Sequence, residues 1–135
     1  MYRLTQTIRV SDPAGVDTKA LMDSINGDTD FLDELIDLFM LNSTELICEM
    51  QQAIEARDCA AIEPVAHSLK GAVSTFFARN ALHAAMTVES LARDQDLDGA
   101  TAAFVRLKSQ IDELKHELAE LRSGEAKPAV ASNFL

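Results

Sequence analysis

The chain has 135 residues, a length that suits one domain, and hydrophobic residues make up 47% of it, enough to form a core. Its net charge of −10 leaves no basic surface for nucleic acid, and no apolar run approaches the roughly 18 residues of a membrane span. The N-terminus also lacks the apolar core of a signal peptide, so we expect a cytoplasmic protein that contacts neither nucleic acid nor membrane.

Residues 1–15 are predicted to form an N-terminal arm. The segment "YRLTQTIRV" alternates apolar and polar residues with a strand-like period of two, but one short strand cannot form a sheet alone. A short helix is predicted to follow over residues 17–25, with Asp17 as its N-cap and Gly27 as the residue that ends it.

Four longer helices are predicted after this segment, from apolar residues that recur every three or four positions. They cover residues 29–57, 59–77, 81–93 and 101–122. In the second of them Asp58 is the expected N-cap, and Pro64 is expected to give a loose or bent start. In the third, the residues expected to face the core are Leu82, Ala85, Met86 and Leu91.

Four substantial helices with short loops predict an all-α fold, namely an antiparallel up-and-down four-helix bundle with an additional short N-terminal helix. The low content of five glycines and three prolines supports this class. The bundle is predicted to span residues 16–122, followed by a flexible C-terminal tail over residues 123–135. Apart from Phe77 and its surroundings, no apolar face is evident beyond the core seams, so we expect a monomer.

His67 lies on the polar face of its predicted helix. On a helical wheel with about 100° per residue, a single apolar stripe lies opposite it. The stripe consists of Ile62, Val65, Leu69, Val73 and Phe76. Mostly small or polar residues lie within about 60° of His67, among them Lys70 and Gly71. The imidazole is therefore predicted to be accessible to a macromolecular partner.

The residues around His67 suit chemistry on a phosphoryl group. A neutral imidazole is a nucleophile, and the Lys70 ammonium can stabilise the negative charge of a group bound to it. Gly71 costs about 1 kcal/mol of helix propensity relative to alanine, which calls for a reason such as access to His67. The alternative is that His67 is a surface histidine without a role.

Other kinds of site lack their motifs. The HExxH spacing is absent, and His83 and His116 are each the single histidine of their own predicted helix, which argues against a metal centre. There is no GxSxG, and no acid on the helix of His67 is spaced to orient its ring, which argues against a hydrolytic triad. A phosphate-binding glycine loop is also missing, so we expect no ATP binding and no bound cofactor.

The stretch "AHSLKGAVSTFFA" resembles the signature of histidine-containing phosphotransfer (HPt) domains. In that family an alanine, the phospho-accepting histidine, a small polar residue, leucine, lysine and glycine form the core motif. The resemblance covers residues 16–121 and includes "VDTKALMDSINGDTDFLDELIDLF" and "AIEARDCAAI". The family often has a glycine ten residues after the histidine, where this chain has Phe77.

The resemblance implies an antiparallel four-helix bundle that carries phosphate in a multistep His–Asp phosphorelay. His67 would accept a phosphoryl group from an aspartyl phosphate on a response-regulator receiver domain and pass it to another receiver aspartate. Lys70 would assist electrostatically, Gly71 would admit the receiver, and Mg²⁺ would be held by the receiver. The implied partners are receiver domains and a hybrid sensor histidine kinase, and the chain would be a phosphoryl carrier without autokinase activity.

Two other functions stay open at this point. The bundle could dock receiver or kinase domains without any phosphate transfer through His67. It could instead be a metal-binding bundle, which metal analysis of the purified protein would detect.

Overall fold

The computed structural model describes residues 15–122, and the predicted C-terminal tail and nearly all of the predicted N-terminal arm lie outside that range. The helices are α1 (Thr18–Ser24), α2 (Thr29–Glu55), α3 (Cys59–Ser74), α4 (Arg79–Arg93) and α5 (Leu97–Leu121). Across residues 15–122 the extended structure is limited to one isolated antiparallel bridge, between Val16 and Ala78. The predicted all-α class is therefore confirmed.

Aspartates cap four of these helices. Asp17, Asp28, Asp58 and Asp96 each accept a hydrogen bond from the backbone N–H three residues later, at 2.9–3.2 Å. These bonds satisfy N–H groups that have no partner within their own helix, and the predicted caps Asp17 and Asp58 are confirmed. The helix that Asp58 caps is continuous from Cys59 through Pro64, so the start that was predicted to be loose or bent is α-helical throughout.

The last helix begins one turn earlier than predicted, at Leu97 instead of Thr101. The segment "DQDLDG" was expected to be a turn, but its aspartate at position 96 is an N-cap and the following residues are helical. Gly99 is suited to this first turn because a Cβ at that position would overlap the capping carboxylate of Asp96.

The connection between α3 and α4 also differs from the prediction, which placed it at residues 78–80. Helix α3 ends at Ser74, and the turn that follows includes Phe77 in the left-handed conformation, with φ +53°. The N-terminal segment holds this turn through two backbone hydrogen bonds, from the N–H of Asp17 to the carbonyl of Phe77 (3.0 Å) and from the N–H of Arg79 to the carbonyl of Gly15 (3.1 Å). Helix α4 can therefore begin at Arg79.

The core lies among the four long helices. Helices α2 and α4 each pack against both α3 and α5. The largest fully buried side chains include Leu21, Ile36, Met50, Ile62, Phe76, Leu107 and Leu114. The rings of Phe39 and Phe76 meet edge to face, 5.3 Å apart, and so join α2 to the end of α3.

One part of the predicted core is wrong. Met86 was expected to face inward, but 47% of it is exposed. The buried face of α4 consists of Ala81, Ala84, Ala85, Val88, Glu89 and Ala92. Small side chains let α4 approach α3 closely, and this face includes a glutamate that the sequence analysis did not select.

Candidate functional site

His67 lies on the outer face of α3, as predicted, and 66% of its side chain is exposed. The opposite face of the same helix is buried through Ile62, Leu69 and Val73. The amphipathic pattern therefore fixes which way the imidazole points. Exposure alone does not distinguish a functional histidine from any other surface histidine, so the contacts of the ring matter more.

The imidazole is bound to a carboxylate from the next helix. The Nδ1 atom of His67 lies 2.8 Å from Oε2 of Glu89 on α4. Only 8% of the Glu89 side chain is exposed, although that of His67 is largely in solvent. A mostly buried carboxylate needs hydrogen-bond donors, and the histidine ring is one of them.

Lys70 is the second donor to this carboxylate. Its Nζ lies 2.8 Å from Oε1 of Glu89, so each oxygen of the carboxylate has its own partner on α3. The Lys70 ammonium, predicted to lie near any group bound to the imidazole, is therefore paired with Glu89 in this structure. The three side chains form a connected network that joins α3 to α4.

The network sets the state of the histidine ring. Hydrogen bonds from Lys70 and then from His67 hold the pKa of Glu89 below its ordinary value, so Glu89 is a carboxylate at neutral pH. A carboxylate can only accept a hydrogen bond, which requires His67 Nδ1 to carry the proton. In the neutral ring the unprotonated nitrogen is then Nε2, with its lone pair available as a nucleophile.

Two further charged residues, Arg93 on α4 and Glu63 on α3, extend this network. Arg93, one turn further along α4, donates from Nε to Oε2 of Glu63 at 2.9 Å. Its Nη2 lies 3.4 Å from Oε2 of Glu89. The pKa of Arg93 is raised by Glu63, so its guanidinium is charged throughout the physiological range.

Gly71 is exposed on α3, one turn beyond His67. A Cβ built at Gly71 would meet no atom within 4 Å outside the helix's own neighbouring backbone. The fold itself therefore gives no steric reason for a glycine here, which leaves the surface beside His67 as the place where a side chain would matter.

An apolar groove lies between α2 and the C-terminal end of α3. It is lined by Leu35, Leu38, Phe39, Asn42, Ala72, Thr75 and Phe76. Leu38 is largely exposed at its rim, and Met86 is exposed on α4. Phe77, at the end of α3, is partly exposed as predicted. Exposed apolar side chains therefore occur on both helices that pack against α3.

The sequence analysis brought together His67, Lys70 and Gly71 but missed Glu89. It considered only acids on the helix of His67, whereas Glu89 lies 22 residues later on another helix. A signal was present, because Glu89 occupies a position between Ala85 and Ala92 on the apolar stripe of α4. A charged residue on a buried stripe predicts a partner on the facing helix.

Among residues 15–122, no group of three or more histidine, cysteine, aspartate or glutamate side chains is arranged to hold a metal ion. His116 instead lies 3.7 Å from Glu120 on its own helix. In the same part of the chain, no helix combines the length and the apolar character needed to cross a membrane. The cytoplasmic location remains a prediction.

The lowered pKa of Glu89 predicts a pH-dependent contribution to stability. A carboxyl whose pKa is lower in the folded state stabilises the fold above its unfolded pKa, and this stabilisation is lost as the pH falls through the folded pKa. Glu89→Gln should therefore be less stable than the wild type at neutral pH, and the difference should shrink below about pH 4.5, the ordinary value for glutamate. Urea unfolding of both proteins across this range measures the difference.

The matched control is Glu113→Gln, which removes one negative charge from an exposed position on α5. If Glu89→Gln and Glu113→Gln gave the same difference from the wild type at every pH, the ion pairs of Glu89 would contribute nothing specific to the fold.

Comparison with protein families places this geometry in a known context. The family model described as "Hpt domain" matches residues 34–124, which is more than half of the chain and contains His67, Lys70, Gly71 and Glu89. Comparisons with curated proteins and with solved structures give no match. Members of this family take part in phosphotransfer within His–Asp phosphorelays, where they interact with receiver domains and kinases. With a match of this extent over the helices that carry the candidate site, the chain belongs to the Hpt domain family.

Proposed function

We propose that this protein is a phosphoryl carrier in a multistep His–Asp phosphorelay, with Nε2 of His67 as the acceptor atom. The observation that supports this most strongly is the bond from His67 Nδ1 to the ionised Glu89, which leaves Nε2 unprotonated on an exposed face. In this proposal the chain has no autokinase activity and takes its phosphate from another protein.

The transfer step needs no proton to leave the site. The Nε2 lone pair attacks the phosphorus of a receiver's aspartyl phosphate, the P–O bond to the aspartate breaks, and its electron pair leaves with the carboxylate oxygen. The product is a phosphoryl group on a ring that still carries its Nδ1 proton, so the imidazole has become a cation. Glu89 already faces that nitrogen at 2.8 Å and stabilises the new positive charge. Reversal of these steps passes the group to a second receiver aspartate.

Lys70 and Gly71 have separate roles in this mechanism. Lys70 carries a positive charge next to the acceptor ring and stabilises the negative charge of the phosphoryl group during transfer. Gly71 keeps the surface one turn from His67 free of side chains, so that the phosphorylated aspartate of a receiver can reach Nε2. The Mg²⁺ ion belongs to the receiver, and the chain itself supplies no cofactor.

The receiver is proposed to dock on the face that His67 shares with the groove between α2 and α3. Leu38 and Met86 are exposed on either side of α3 and provide apolar contact area around the acceptor. We infer that the partners are receiver domains, including that of a hybrid sensor histidine kinase, and that the chain meets them as a monomer.

We also infer that α2–α5 form an antiparallel up-and-down bundle, because the side-chain pairs between them run in opposite chain directions. These pairs are Asp37–Arg122 and Thr44–Lys115 on one side, and Glu63–Arg93 and His67–Glu89 on the other. In this arrangement α1 is the additional N-terminal helix.

The test is transfer from a phosphorylated receiver domain in the presence of Mg²⁺. The full chain should become labelled, the label should be lost in acid and kept in base, as expected for a phosphoramidate, and ³¹P NMR should place it on Nε2. A complex with the receiver but no label would favour the alternative of a docking module without transfer. Phosphate on Nδ1 would contradict the orientation that Glu89 gives to the ring.

A further inference from the structure

In the proposed transfer Lys70 has two partners, the carboxylate of Glu89 and the incoming phosphoryl group, and its single ammonium cannot pair equally closely with both. In the structure its ammonium is 2.8 Å from Oε1 of Glu89, and only 30% of its side chain is exposed. When a phosphoryl group arrives on Nε2 of His67, the ammonium must turn toward that group to stabilise it. A mostly buried carboxylate then loses one of its two closest donors, which is unfavourable unless another cation replaces it.

Arg93 is placed to be that cation. Its Nη2 lies 3.4 Å from Oε2 of Glu89, longer than the ~2.8 Å of a strong charge-assisted hydrogen bond, so there is distance left to close. Its Nε is meanwhile bound to Glu63 at 2.9 Å, which holds the guanidinium beside Glu89 while Lys70 is still in place. Arginine has five N–H donors, so it can keep Glu63 and strengthen its contact with Glu89 at the same time.

We propose that Arg93 is a positioning residue that takes over the neutralisation of Glu89 when Lys70 turns to the phosphoryl group. The proposal rests on His67 being the phosphoryl acceptor, as proposed above. The charges of the network support it. Lys70 and Arg93 balance Glu63 and Glu89, with one of each sign on each helix. Once Lys70 pairs with the incoming phosphate, the cations beside Glu89 are the phosphorylated His67 ring, which faces Oε2, and Arg93, which replaces the charge of Lys70.

Two simpler roles for Arg93 must be separated from this one. The Glu63–Arg93 pair could only tie α3 to α4, in which case removing either member would destabilise the fold without a specific effect on transfer. Arg93 is also exposed, so it could contact the receiver directly. Neither of these roles depends on the charge at position 89, whereas the proposed role does.

The experiment measures the phosphorylation rate of His67 by phosphoramidate, which needs no docking surface. In this reaction Nε2 attacks phosphorus, the P–N bond breaks, and ammonia leaves with the electron pair. Arg93→Ala should slow the reaction about fivefold, the size expected for the loss of one partly exposed charge. Arg93→Lys should restore most of the rate, because a lysine four residues after Glu89 keeps the charge on the same face of α4.

The decisive comparison is a double-mutant cycle with Glu89→Gln. A glutamine at position 89 can still accept the hydrogen bond from His67 but needs no cation, so Arg93→Ala should have less than about a twofold further effect in that background. Glu63→Gln is the matched control for the ion pair that joins α3 to α4. It removes the charge of Glu63 but keeps a side-chain oxygen that can accept the hydrogen bond from Arg93 Nε, so the guanidinium stays beside Glu89 and the wild-type rate should be kept.

The proposal is wrong if Arg93→Ala keeps the wild-type rate with phosphoramidate, or if its effect persists unchanged in the Glu89→Gln background. An effect seen only with a receiver as donor would assign Arg93 to the docking surface instead. If the proposed function were wrong, the result would differ from a failure of the Arg93 proposal. The wild type would then accept phosphate from phosphoramidate but not from any phosphorylated receiver.

Discussion

His67→Gln is expected to abolish the uptake of phosphate from a phosphorylated receiver and from phosphoramidate alike. The substitution removes the only nitrogen that the structure presents as a nucleophile next to both Lys70 and Glu89. Folding should be preserved, since 66% of the His67 side chain is exposed and the glutamine amide can still donate to Glu89. We expect a change of less than about 0.5 kcal/mol in the free energy of unfolding.

The other two histidines are the natural controls for this variant. His83 and His116 are exposed on α4 and α5, so His83→Gln and His116→Gln remove a surface imidazole without touching Glu89. Both should be labelled like the wild type. If His67→Gln still took up acid-labile phosphate while one of these controls did not, the acceptor would be assigned to the wrong histidine.

Gly71→Gln is expected to reduce transfer from a receiver by about tenfold or more while making the isolated domain more stable. A Cβ at this position meets nothing within 4 Å, so the new side chain is not strained and extends from the surface one turn from His67. Glutamine is the better helix former, so the free energy of unfolding should rise by about 0.5–1 kcal/mol. The phosphorylated aspartate of a receiver would meet this side chain as it approaches Nε2.

Comparison of donors separates access from chemistry. Phosphoramidate is small and needs no docking surface, so it should phosphorylate Gly71→Gln at a rate within about twofold of the wild type. Gly71→Ala should be equally stabilised and only partly impaired with the receiver. Ala119→Gln, an equivalent side chain added to an exposed position on α5, should leave transfer unchanged. If transfer from the receiver were unchanged in Gly71→Gln, the glycine would be present for a reason other than access to His67.

Local signals in the sequence predicted most of the secondary structure. Asp17 and Asp58 were identified as caps because a short acidic side chain before an apolar periodic segment can satisfy free N–H groups, and this requires no tertiary information. The start of α5 was placed one turn late because Gly99 resembles a turn residue until the Asp96 carboxylate beside it is known. The exposure of His67 followed from the strong contrast between the two faces of α3.

Helix α4 shows where such reasoning fails. Its inner face is mostly alanine, so the buried positions carry no large side chain that marks them, and Met86 was placed inside although it is exposed. The same helix carries Glu89, whose buried position depends on donors that α3 supplies. The pattern of α4 indicates that Glu89 needs a partner, but only the packing of α3 against α4 identifies His67 and Lys70 as its donors.

The pairing of Lys70 with Glu89 has a consequence for selectivity among the anions that surround a protein in the cell. An unpaired ammonium beside a nucleophilic ring would attract inorganic phosphate and nucleotides, and these would compete with the intended donor. Here the ammonium is already neutralised by a carboxylate at 2.8 Å, and the chain carries an overall charge of −10 that repels small anions. A small anion therefore gains little attraction from the site, whereas a protein donor can add binding energy from surface contacts of its own. In the proposed mechanism this pairing favours a docked protein over small anions at low concentration as the source of phosphate.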